Sequence, residues 1–89
     1  MNKKYDQELL RFLCEISTDN AMSDVLSNIL TPAEREELAL RLQIFKALKS
    51  GESQRSIAKR LEVSLATVSR GSRELKYGKT GVSRALKYD

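Results

Sequence analysis

The sequence predicts an all-α protein, and three observations predict it. Apolar residues recur at three- and four-residue intervals, no segment alternates apolar and polar residues long enough for a strand, and helix-starting residues stand ahead of the periodic stretches. The chain has 89 residues, of which 40% are hydrophobic and 31% charged. That composition reads as one small folded domain rather than a disordered chain. A chain this short buries only about 60–65% of the surface its unfolded form exposes, so a partner subunit would help to complete the core.

The first helix is expected over about Lys4 to Ser17, with Tyr5, Leu9, Phe12, Leu13 and Ile16 on one face. Ser17-Thr18-Asp19-Asn20 is a turn rich in helix caps. A second helix is expected from about Met22 to Ile29, because Met22, Val25, Leu26 and Ile29 fall on one apolar stripe. Thr31-Pro32-Ala33-Glu34 is a strong helix start: Thr31 caps, Pro32 suits the first helical position, and Glu34 closes a capping box. That third helix runs to about Ser50 and stops at Gly51. It carries two stripes, Leu38, Leu42, Phe45 and Leu48 on one side and Leu40, Ile44 and Ala47 on another. A helix apolar on two sides is buried on two sides, so it is the expected centre, with part of its surface meeting a second subunit.

Ser53 to Lys76 has the logic of a helix-turn-helix. Ser53 caps a helix from Gln54 to about Leu61, Glu62-Val63 makes the turn, and Ser64 caps a helix from Leu65 to about Lys76. Ile57, Ala58, Leu61, Val63 and Val68 supply the small and apolar positions that two tightly crossed helices need. Glu62 takes the place where many such turns have glycine. The second helix presents Thr67, Ser69, Arg70, Arg73 and Lys76 on a polar face, of a width that fits the major groove of DNA. Charge agrees: residues 1–37 carry four basic against eight acidic side chains, and residues 38–89 carry twelve against four. A basic half on an acidic half suggests a polyanion-binding head on a separate scaffold.

Composition removes most catalytic chemistry. Histidine and tryptophan are absent and Cys14 is the only cysteine, so an intrachain disulfide and a cysteine zinc cluster are excluded, as are most acid–base triads. No enzyme, catalytic residue or metal site is expected. A lone thiol suits the reducing cytosol, and beside Phe12, Leu13 and Ile16 it is expected to be an inert core thiol rather than a reactive one. No apolar run approaches the ~18 residues that span a bilayer, and Met1 to Asp6 leads into no signal-peptide core, so the expected location is cytoplasmic, with no membrane partner.

Three segments carry a family resemblance. Leu30-Thr31-Pro32-Ala33-Glu34-Arg35-Glu36 followed by Arg41, then Gly51-Glu52-Ser53-Gln54-Arg55, then Ala66-Thr67-Val68-Ser69-Arg70-Gly71-Ser72 together resemble the bacterial Trp repressor family over about residues 5–76. The resemblance implies an intertwined homodimer of six-helix subunits: residues 1–50 as dimerisation core, 53–76 as helix-turn-helix and 77–89 as a C-terminal tail helix. It implies a repressor that binds a double-stranded DNA operator with L-tryptophan as corepressor, controlling tryptophan biosynthesis or transport genes. Arg41 and Arg70 match the arginines that flank the indole, consistent with the stacking of guanidinium planes on aromatic faces. Thr31 matches the hydroxyl that helps to hold the ligand carboxylate. The carbonyls of Asn28 and Leu30 match those that accept from its ammonium, and Gly71 leaves room at the pocket. The same resemblance puts Gln54 and Arg55 at the start of the first motif helix, with Arg55 as the base reader. Leu65, Ala66, Thr67 and Ser69, with Ser64 beside them, would face the groove, and Arg41, Arg73 and Lys76 would meet phosphates.

The sequence departs from the family pattern at defined points. Glu74 lies where the family has a serine near the ligand ammonium, and would pair with that ammonium, fill the pocket or reject tryptophan. The segment around Glu52-Ser53 is one residue shorter. Ala58 replaces a lysine, with Lys59 and Arg60 beside it, and Leu75-Lys76-Tyr77-Gly78 resembles a less characterised Trp-repressor-like group. Tyr77 is expected to pack rather than to stack on nucleic acid. Taken singly, Arg41 is also explained by an ion pair to Glu37 and Arg70 by a phosphate contact. Two further readings stand beside the first: a DNA-binding regulator that does not use tryptophan, and a helical dimerisation or adaptor module without DNA binding.

Overall fold

A computed structural model describes residues 1–86. It shows six helices and, among those residues, no strand: α1 Lys3–Cys14, α2 Asp19–Ile29, α3 Pro32–Lys49, α4 Gln54–Leu61, α5 Leu65–Tyr77 and α6 Gly81–Ala85. Residues 1–35 form one compact unit and the residues from Glu36 onward a second.

In the first unit the caps decide the boundaries. The N–H groups of Lys4 and Tyr5 donate to Asn2 Oδ1 at 2.9 and 3.2 Å, so α1 begins at Lys3. It ends at Cys14, three residues short of the expected Ser17, and α2 begins at Asp19 rather than Met22. The reason is Thr18. Its backbone is extended and its Oγ1 accepts the Ala21 N–H at 3.1 Å, which starts α2 early and leaves too few residues to continue α1. The Thr31 box closes in both directions: Thr31 N–H donates to Glu34 Oε1 at 2.9 Å, and Glu34 N–H donates to Thr31 Oγ1 at 3.1 Å. Arg35 then reaches back over α2, donating to the Ser23 carbonyl, Ser23 Oγ and Ser27 Oγ at 2.9–3.1 Å.

No residue of α1 or α2 is buried. Tyr5, Leu9, Leu10 and Phe12 all stand exposed on α1. The expectation of a core thiol is therefore corrected: Cys14 is exposed, because the apolar residues beside it form a stripe with no cover of its own in this unit.

The second unit has the core. Ile44 and Ala47 of α3, Ile57 of α4 and Val68 of α5 are buried together, with Leu40, Leu48, Ala58, Leu61 and Val63 packed against them. Ile57 and Val68 are fully excluded from solvent. The motif helices are capped as their sequence requires: Ser53 Oγ accepts the Ser56 N–H at 3.2 Å, and Ser64 Oγ accepts the Thr67 N–H at 3.0 Å. Between them Glu62 adopts a left-handed conformation (φ 56°, ψ 46°), which lets the Val63 N–H close onto the Ala58 carbonyl at 3.0 Å. Glutamate does here what glycine does in many such turns. Gly51 (φ 93°) ends α3 in the same region of backbone space, where glycine carries no steric penalty.

The tail differs from the expected helix over 77–89. Tyr77 is the last residue of α5, and the following helix is the short α6. The Lys49 ammonium, at the end of α3, donates to the Ser83 carbonyl of α6. The remaining part of the expected tail helix, residues 87–89, lies outside the described residues. Tyr77 is 82% exposed, not packed, at the end of a helix that Gly78 closes.

Because Ile57 is fully buried in the core that α3, α4 and α5 share, Ile57→Ala is expected to lower the free energy of unfolding by about 2–5 kcal/mol. Urea unfolding followed by helical circular dichroism measures it, and a loss below about 1 kcal/mol would contradict the placement of Ile57 at the centre.

Candidate nucleic-acid interface and effector cleft

The polar side of the two motif helices is built from short hydrogen bonds and unpaired cations. Ser69 Oγ of α5 donates to Gln54 Oε1 at the start of α4, at 2.7 Å, which braces one motif helix on the other. Ser64 Oγ and Thr67 Oγ1 share a hydrogen bond of 2.8 Å. Hydroxyls expected to face a groove are thus partly committed to holding the motif. Leu65 and Ala66 are exposed at the start of α5, and Arg55 is exposed on the first turn of α4. Arg73 and Lys76 are exposed further along α5. Among the described residues no carboxylate pairs with Arg55, Arg73 or Lys76.

Arg60 differs from them. Its guanidinium donates to Glu52 at 2.8 and 3.2 Å, and Ser56 Oγ donates to the same carboxylate at 2.7 Å. The hydrogen bond from Arg60, then the one from Ser56, hold the Glu52 carboxyl below its usual range, and Glu52 raises Arg60 in turn. A lowered carboxyl contributes its stabilisation at neutral pH and loses it as pH falls through the lowered value. The cluster ties the entry of α4 to its last turn. Residue-type reading missed it, although the signal is present: Glu52, Ser56 and Arg60 follow at intervals of four.

Behind the motif, α3 and α5 enclose a cleft of about 350 Å³ lined by Glu37, Arg41, Ile44, Phe45, Thr67, Arg70, Gly71 and Glu74. Such a volume lies in the range of small-molecule sites. Of the residues expected to hold a ligand, Arg41, Arg70, Gly71 and Glu74 come together here. Asn28, Leu30 and Thr31 belong to the first unit, where Thr31 caps α3. Glu37, Ile44 and Phe45 are added as walls; Phe45 stands one turn beyond Arg41 on α3, which is the signal that could have found it.

Gly71 sets the width of the cleft. A Cβ there would lie 3.0 Å from Ile44 Cγ2 and 3.5 Å from Leu48 Cδ1. The two arginines are lightly held. Arg41 Nη2 pairs with Glu37 Oε1 at 2.9 Å, but both side chains are more than 60% exposed, so the pair is worth at most about 1 kcal/mol. Arg70 Nη2 meets Thr67 Oγ1 at 3.4 Å, a long hydrogen bond. Either guanidinium is free to turn toward a ligand at small cost.

No described helix is long and apolar enough to cross a membrane. Among the described residues no group of three or more metal-ligating side chains gathers.

A short and a longer helix, each started by a serine cap and joined by a left-handed turn, with cations on the outer side, define a helix-turn-helix protein. The model of the Trp repressor protein family matches residues 4–89, and the chain belongs to that family. It is similar to a Trp operon repressor homolog of Vibrio campbellii, 47% identical over 66 residues, covering 72% of this chain and 66% of the relative. Similar proteins described in the same words occur in Aliivibrio fischeri, 51% identical over 53 residues (58% of this chain, 49% of the relative), and in Photobacterium profundum, 39% identical over 72 residues (80% and 70%). The chain thus spans from about half to 70% of the length of these curated relatives. No solved structure matches it at a significant level.

Gly71→Ala tests the tight approach. Ile44 is buried and β-branched, so its Cγ2 cannot swing aside, and overpacking costs about 1–3 kcal/mol against about 1 kcal/mol gained in helix propensity. The expected result is a lower urea midpoint; a raised midpoint would show that α5 has room to spare.

Proposed function

We propose that this chain is a DNA-binding transcriptional repressor that acts as a homodimer, with L-tryptophan as corepressor and genes of tryptophan biosynthesis or transport as its targets. One observation carries the reading: α5 is at once the outer helix of the motif and a wall of the cleft that holds Arg41 and Arg70. A flat ligand between those guanidinium groups stacks on both and sets the position of α5. A ligand shifts an equilibrium only by its differential affinity, so the motif must be looser without it, with a coupling of about 1–3 kcal/mol. Thr31, Asn28 and Leu30 enter the proposal through the family resemblance, as partners of the ligand carboxylate and ammonium.

On DNA, Arg55 is the base reader. Gln54, Ser64, Leu65, Ala66, Thr67 and Ser69 form the groove-facing surface, and Arg73 and Lys76, with Arg41, meet phosphates. A second copy of the chain is supported by the exposed apolar side chains: Tyr5, Leu9, Leu10 and Phe12 on α1, and Leu38 and Leu42 on α3. The relatives' description as Trp operon repressor homologs supports the same reading, and a cytoplasmic location without catalytic activity goes with it.

Selection from a random duplex pool, with and without L-tryptophan, tests this. Enrichment of one sequence only in the presence of L-tryptophan is the expected outcome. On that sequence Arg55→Ala is expected to cost about 1–3 kcal/mol while leaving random DNA nearly unaffected, and Lys76→Ala to weaken all sequences and reduce the salt slope by about 1. Enrichment that ignores L-tryptophan would remove the corepressor, and no enrichment under either condition would remove sequence-specific binding.

A further inference from the structure

We infer that Glu52 is a positioning residue for sequence reading: by gripping Ser56 and Arg60 it fixes the orientation of α4 and so aims Arg55. This rests on the proposal that Arg55 reads bases, and adds to it the group that keeps Arg55 in place.

Helix α4 needs such a group. It has eight residues, fewer than the roughly 12–15 at which a helix begins to hold its own shape in water. Ile57 is its one buried side chain, with Ala58 and Leu61 partly covered. A single buried anchor lets a two-turn helix roll and tilt, so polar tethers decide where its outer side points. Two tethers are present, and they attach to the residues on either side of Arg55. Gln54 Oε1 accepts from Ser69 Oγ of α5 at 2.7 Å. Ser56 Oγ donates to Glu52 Oε2 at 2.7 Å, and Arg60 donates to the same carboxylate from Nη2 at 2.8 Å and from Nε at 3.2 Å. Arg55 between them is exposed, and among the described residues no carboxylate pairs with it.

Glu52 can hold α4 because its own main chain is held. Gly51 and Glu52 close α3 in a Schellman turn: the Gly51 N–H donates to the Leu48 carbonyl and the Glu52 N–H to the Ala47 carbonyl, both at 3.1 Å. Ala47 belongs to the buried core. The backbone of Glu52 is thus fixed to α3 and its carboxylate to both turns of α4. A two-pointed grip between guanidinium and carboxylate sets direction as well as distance. An isolated exposed ion pair contributes little to stability, so the consequence of this one is orientation. An arginine presented on a fixed helix gives up less freedom when it meets a base edge.

The test compares the affinity of the full chain for two probes, with L-tryptophan present throughout: the duplex that wild type enriches from a random pool, and the unselected pool. Glu52→Gln makes the chain more positive and Arg60→Gln makes it less so. If Glu52 aims Arg55, both lower the ratio of the two affinities by at least about fivefold. In an Arg55→Ala background Glu52→Gln is expected to leave the ratio within about twofold, since nothing remains to be aimed. A pure charge effect would move both affinities together, in opposite directions for the two variants, with the ratio unchanged. That result, or a further fivefold loss in the Arg55→Ala background, would overturn the role of Glu52 and leave Arg55 as base reader. Arg60→Lys keeps the cation and loses the fork, and stands in for a Gln variant that has lost its helical circular dichroism. Its ratio is expected to fall by at least about twofold, and an unchanged ratio overturns the role equally. No enriched duplex from wild type with intact helical circular dichroism would overturn both readings.

Discussion

The contact on which the rest depends is the close approach of α5 to α3 at Gly71. A hydrogen in place of a side chain lets the α5 backbone come within reach of Ile44, and Ile44 is one of the four residues that make the buried core. The same approach brings Arg41 and Arg70 to opposite walls of one cleft. Packing and recognition are thus not separable here. Whatever fills the cleft presses on a helix whose other side carries the polar surface of the motif.

Magnitudes decide how that cleft behaves. The core is small, with only Ile57 and Val68 among the described residues fully excluded from solvent, so changes of about 1 kcal/mol at α5 are a sizeable part of the stability of a small domain. The Arg41–Glu37 pair and the Arg70–Thr67 contact are weak by comparison, one exposed and the other long. A ligand that exchanges them for stacking and charge-assisted bonds meets little resistance from the protein. The Glu52–Ser56–Arg60 cluster, in contrast, gathers three hydrogen bonds on one carboxylate and keeps the entry of α4 fixed to its end.

Much of this was legible in the residues, and the parts that were not share a cause. Caps are local chemistry, so Thr31 with Glu34, Ser53 and Ser64 could be read from type and spacing, and so could the small and apolar set of the motif. Apolar periodicity continues through Ile16 and so predicts a later end to α1, while the Thr18 cap enforces an earlier stop. Cys14 and Tyr77 were expected to be covered and are exposed. Periodicity tells which residues share a face and is silent about what lies over it. The cleft is legible only in part: Arg41, Arg70, Gly71 and Glu74 through the family resemblance, and Glu37 and Phe45 only by their spacing of one turn on either side of Arg41.

Amide hydrogen exchange along α4 and α5, with and without L-tryptophan, probes the link between cleft and motif most directly. If a ligand between Arg41 and Arg70 orders the motif, exchange in those helices slows on saturation, by up to about a hundredfold at a ligand concentration one hundred times Kd. Unchanged exchange in α4 and α5 under saturating ligand would contradict the account, because the cleft would then be occupied without consequence for the motif helices.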